Sequence, residues 1–199
     1  YFIAHHRRLA SVVVRFGSPL DVLGNPVDEH GQSLDGTGQP FDRRLYVCGR
    51  DLRVQHNPQR DRVYTNHLAD SICSAFRRDS VVLPSHLAAH AAWHLLGSRY
   101  PNLDTYGRAL LPASERWVDR GALVAAIERC TLAVDAHVEA GETHALLPQG
   151  EHRAEAILNL AVETFSVFHS RRALEYEDWR VLVDPKLALY YGNRLASLL

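Results

Sequence analysis

Two histidine–carboxylate spacings are the first place to look for chemistry in this chain. His followed four residues later by Asp occurs as His30-Gly-Gln-Ser-Leu-Asp35 and again as His56-Asn-Pro-Gln-Arg-Asp61. In acyl transfer, a carboxylate at that spacing can orient an imidazole that takes a proton from a hydroxyl nucleophile. With 12 histidines in 199 residues such pairs also arise by coincidence, so neither is expected to be catalytic. His86, His90 and His94 recur every four residues on a predicted helix, where adjacent pairs could share a metal ion. No carboxylate accompanies them, and alanine and tryptophan surround them, so they read as ordinary hydrogen-bonded histidines. His5-His6-Arg7-Arg8 could touch phosphate but reads as a solvated helix end. There is no Gly-x-Ser-x-Gly elbow, no Gly-rich phosphate loop before a helix and no Ser-x-x-Lys. No catalytic, cofactor-binding or metal-ligating residue is therefore expected within the chain itself.

Periodicity predicts the elements that would position these side chains, a mainly α fold with minor β. The run Ala10-Ser-Val-Val-Val-Arg-Phe-Gly-Ser-Pro19 reads as a strand buried on both faces and stopped by a turn. No later segment looks able to pair with it, which assigns residues 1–20 to a sheet whose other strands precede Tyr1. Residues 21–60, dense in Gly, Asp, Asn, Pro and Gln, read as a long irregular loop with a short hairpin at 45–47 and 52–54. Residues 61–199 read as a helical region. Its helices are expected at 61–78, with Val63, Leu68, Ile72, Ala75 and Phe76 on one face, and at 84–96 with Gly97 as its left-handed stop. Further helices follow at 120–140, capped by Asp119, and at 151–170. A hairpin at 174–177 and 180–183 and a last helix from Pro185 to the end complete a winged-helix-like helix-helix-hairpin-helix unit.

Composition narrows the function classes. The formal net charge is −1, so no global attraction to nucleic acid or anionic lipid exists. Cys48, Cys73 and Cys130 are odd in number and lack a Cys-x-x-Cys, which suits a reducing compartment. The longest nearly apolar run, residues 81–96, falls short of the ~20 residues that span a bilayer.

Three blocks carry a resemblance. Ser11-Val-Val-Val-Arg-Phe-Gly-Ser-Pro19 resembles the Val-x-Phe-Gly-x-Pro strand that closes the catalytic domain of the large bacterial membrane-associated glycerol-3-phosphate acyltransferases. Val81-Val-Leu-Pro-Ser-His-Leu-Ala88 is similar to that family's apolar-Pro-x-x-Leu-x-Ala helix start, and Leu182-Val-Asp-Pro-Lys-Leu-Ala-Leu-Tyr-Tyr-Gly-Asn-Arg-Leu-Ala196 to its terminal Leu-x-x-Tyr-Tyr-x-Asn-x-x-Ala-His segment. Ser197 stands where the family commonly has histidine. The resemblance implies a parent enzyme that moves a fatty acyl group from acyl-CoA or acyl-carrier protein to glycerol 3-phosphate at the cytoplasmic face of the membrane. It also implies that the catalytic His-x-x-x-x-Asp, arginine-bearing and Phe-Pro-Glu-Gly blocks precede Tyr1, leaving this region a supporting role and no nucleic-acid partner. Because the 21–60 segment exceeds the family's usual length, an acylated lysophosphatidate remains an alternative acceptor. A winged-helix nucleic-acid-binding module is the rival from another class. A third reading is a helical scaffold that docks through 83–96.

Overall fold

A computed structural model of the chain describes residues 13–168 and 171–199, and of 166–168 the backbone alone. Residues Ala10 to Val12 of the expected strand lie outside the described set. The described chain is mainly helical with small sheets and divides into two compact units, residues 14–80 and residues 81–199 together with Val13.

In the first unit, residues 14–19 form neither helix nor strand and make no β-bridge, although Arg15 Nε lies 3.7 Å from Asp79 Oδ1. The stretch expected to be an irregular loop is instead a tandem array of seven-residue turns. Antiparallel bridges join Leu20 to Pro26, Val27 to Ser33, Leu34 to Pro40 and Cys48 to Val54. The first three turns share one sequence, an apolar residue, Asp, two variable residues, Gly, Asn or Gln, then Pro or Ser. Each Asp carboxylate accepts the N–H groups two and four residues on, as Asp28 does from His30 (2.9 Å) and Gln32 (2.8 Å) and Asp35 from Thr37 (2.8 Å) and Gln39 (2.9 Å). The glycine then turns back to the Asp carbonyl with φ of +90° at Gly24, +78° at Gly31 and +80° at Gly38, a region that L side chains avoid. The fourth turn becomes the 3₁₀ helix Arg43–Val47, opened by the Asp42 carboxylate on the Arg44 N–H. The hairpin expected at 45–47 and 52–54 does not form, because 45–47 belong to that 3₁₀ helix; the fifth turn closes instead through the Cys48–Val54 bridge, with Leu52 at φ +58° where the first three turns carry glycine.

Helix α1, Pro58–Asp79, starts three residues before the predicted helix because Asn57 caps it through the Arg60 N–H and Pro58 takes the first turn, where its missing donor costs nothing. It falls in the first unit instead of with the 81–199 helices. Gly24 of the first turn lies so close to α1 that an added Cβ would sit 2.9 Å from Leu68 Cα.

The second unit is built on helix α2, Pro84–Arg99, whose Leu87, Ala88, Ala89, Ala91, Ala92 and Leu96 are fully or almost fully buried. The scaffold reading for 83–96 thus meets a helix whose apolar surface is already covered. Before it comes β1, Val81–Val82; after it come α3, Thr105–Ala109, and β2, Trp117–Asp119. Helix α4, Arg120–Glu139, is capped by the Asp119 carboxylate on the Ala122 N–H at 2.7 Å, as its sequence indicates. Then follow β3, His144–Ala145; α5, Arg153–Phe168; β4, Leu174–Glu177; β5, Arg180–Val183; and α6, Pro185–Gly192, capped by Asp184. Strand β1 pairs in parallel with β3, while β2, β5 and β4 form an antiparallel sheet in that order.

Gly97 does not stop α2, which runs on to Arg99. Its missing side chain makes room for the Arg108 guanidinium, which stacks 4.7 Å from the centre of the Trp93 ring. Gly192 has a comparable role, since a Cβ there would lie 2.8 Å from the His90 backbone nitrogen; its absence lets α6 close on α2. The last helix ends at Gly192 and passes into the 3₁₀ turn Asn193–Leu195.

Candidate functional site

Two of the three histidines on α2 are hydrogen-bonded into the fold, and His94 is exposed. The Leu83 N–H donates to His86 Nδ1 at 3.3 Å, so His86 closes the helix start in place of a capping side chain. Burial, with the Arg194 charge nearby, pushes its pKa down to about 4. His90 donates from Nδ1 to the Gly192 carbonyl at 3.2 Å, and its ring lies 4.3 Å from that of His94. Burial lowers both of these imidazoles, with Arg108 adding to the effect at His94. Among the described residues no three His, Cys, Asp or Glu side chains gather closely enough to hold a metal ion.

The two His-x-x-x-x-Asp spacings separate. His30 and Asp35 sit in successive seven-residue turns, where Asp recurs as 21, 28, 35 and 42, and the Asp35 carboxylate is taken by Thr37 and Gln39. His56 Nδ1 does meet Asp61 Oδ2, at 3.4 Å. That imidazole is 84% exposed, and the carboxylate also receives Arg60 at 3.1 Å. The pair has the contact a proton-shuttling dyad needs but no enclosure that would position a substrate or exclude water.

Two open grooves mark the second unit. One, of about 430 Å³, lies between α4 and the start of α5 and is lined by Glu128, Glu151 and Glu155 with Thr131, His152 and Arg153. Its arginine is already committed, forming a two-pronged bond to Asp135 at 2.5 and 2.9 Å. The other, of about 700 Å³, runs along the outer face of α6 and is lined by Thr105, Lys186, Leu189, Tyr190, Asn193 and Arg194. Five of these six, all but Thr105, fall in the terminal block that carries the resemblance, which attaches no role to them. The signal available was their helical spacing, 186, 190, 193 and 194, around the chain's single lysine.

No helix among the described residues is long and apolar enough to cross a membrane. No family model, curated protein or solved structure matches the chain.

Proposed function

We propose that this chain is the non-catalytic carboxyl-terminal region of a glycerolipid acyltransferase, whose parent enzyme transfers a fatty acyl group from acyl-CoA or acyl-carrier protein to glycerol 3-phosphate or lysophosphatidate. The observation that carries the reading is the uncovered apolar surface of the first unit. Val14 and Phe16, on the unbridged segment, are 68% and 92% exposed. Helix α1 buries none of its 22 residues, and leaves Phe76 71% exposed. Covering a phenylalanine contributes about 2–3 kcal/mol, so a surface of this kind favours a partner sheet or helix over water. The exposed segment is the one that resembles the closing strand of the catalytic domain.

A second reading concerns residues 119–183. Helices α4 and α5 followed by the β4–β5 hairpin, with β2 beside β5, support a winged-helix-like reading of that stretch, into which β3 is inserted between the two helices. As a nucleic-acid reader it is poorly equipped: Arg153 at the start of α5 is tied to Asp135, and Arg120 faces Glu155 at 3.6 Å. We therefore take this unit as a packing module of the acyltransferase.

Incubation of the purified 199-residue chain with acyl-CoA or acyl-carrier protein and glycerol 3-phosphate should give no acylated product above the enzyme-free rate. Turnover by the chain alone would overturn the supporting role.

A further inference from the structure

We propose that the groove along α6 binds a phosphate monoester group, with Lys186 and Arg194 as its cationic arms and Thr105, Tyr190 and Asn193 as neutral partners. The inference does not depend on the acyltransferase reading.

Residues 186, 190, 193 and 194 follow one another at helical spacing along α6 and the 3₁₀ turn after it, so their side chains share the groove wall that Thr105 completes. Arg15, Arg44, Arg60, Arg78, Arg120, Arg153 and Arg180 each approach a carboxylate within 4 Å. Among the described residues, Lys186 Nζ and the Arg194 guanidinium have no such partner. The two carboxylates nearest to the groove in sequence point to backbone. Asp184 accepts from the Lys186 and Leu187 N–H groups at 3.0 and 3.1 Å, and Asp104 accepts from the Gly107 N–H at 2.7 Å.

Two uncompensated positive charges beside a phenol, a carboxamide and a hydroxyl suit a ligand with two negative charges and several acceptor oxygens. A phosphate monoester has both, and lysine with arginine is a common pairing for it. The volume exceeds that of the phosphate alone and leaves room for the esterified group, against which Tyr190 and Leu189 present apolar surface. The wall is stiff. Tyr190 packs edge-on to Tyr191 at 5.2 Å, Tyr191 lies 4.8 Å from the core ring of Phe165, and Gly192 clamps α6 to α2.

The test is a two-dimensional NMR titration of the whole chain, following the Asn193 side-chain amide and Arg194 Nε–H. The probes are inorganic phosphate, glycerol 3-phosphate, and phosphatidylcholine vesicles with and without phosphatidate, each against sodium chloride at matched ionic strength. The expected result is a saturable shift of both signals with at least one phosphate probe, unchanged in R62Q, and in K186Q/R194Q an Asn193 side-chain shift that needs about tenfold or more probe to saturate. Saturation with the soluble probes identifies a small phosphate ester as the ligand, and saturation with phosphatidate vesicles alone identifies a lipid headgroup. Shifts reproduced by chloride, absent with every probe, or undiminished in K186Q/R194Q would overturn the site. Preservation of the remaining amide spectrum in K186Q/R194Q separates lost binding from lost folding.

Discussion

At the scale of single residues, His86 shows how a fold silences chemistry that a spacing suggests. Its Nδ1 is an acceptor for the Leu83 N–H, so protonation there forfeits a hydrogen bond at the start of α2 as well as placing charge in a buried position beside Arg194. The folded pKa, about 4, lies below the ordinary histidine value of 6.5. The unfolded chain therefore binds the proton first, and stability is fully present above pH 6.5 and is lost as pH falls towards 4. His90 and His94 are displaced in the same direction. Denaturant titrations between about pH 7 and pH 4.5 should show stability falling, with His86 contributing on the order of 1 kcal/mol per pH unit in the lower part of that range. H86Q should flatten the slope; an unchanged slope would show that His86 is already solvated and titrates normally.

At the scale of elements, the parts legible in the sequence were those whose signals are local. Asp119 and Asp184-Pro185 mark helix starts, and the hairpin of β4 and β5 turns at Asp178, whose φ of +52° an Asp tolerates better than most residues. Strands β1, β2 and β3 are too short to carry alternation, and they exist only because distant partners align them. The Gly97 signal failed because the residue serves Arg108 packing instead of a turn. The seven-residue array was written in plain view as Asp every seventh residue, but each turn is closed by Asp carboxylate bonds to backbone, so its composition looks like that of a loop. This array makes a sharp prediction. Leu52 occupies the glycine position of the fifth turn at φ +58°, so L52G should raise the stability of the first unit by about 1 kcal/mol. A Cβ added at Gly31 would meet nothing within 4 Å, yet φ there is +78°, so G31V should lower stability by a similar amount through backbone strain alone. Thermal unfolding of both variants checks the sign, and a neutral L52G would mean that the turn relaxes without cost.

At the scale of the whole molecule, the two units differ in how completely they satisfy themselves. The second has a continuous core, with Phe165, Leu87, Leu96, Leu123, Ile127 and Ile157 fully or almost fully buried, whereas α1 of the first buries nothing and the Val14–Phe16 edge stays bare. The proposed supporting role in an acyltransferase would account for that contrast, because the apolar edge and helix face would complete the catalytic domain. Under that proposal His56 and Asp61, a solvent-exposed pair, would take no part in proton transfer. The most direct measurement is the steady-state rate of glycerol 3-phosphate acylation by the proposed parent enzyme carrying either F16E/F76E or H56A. The account predicts that F16E/F76E abolishes or severely reduces the rate while H56A retains it; full activity in F16E/F76E together with loss in H56A would contradict it.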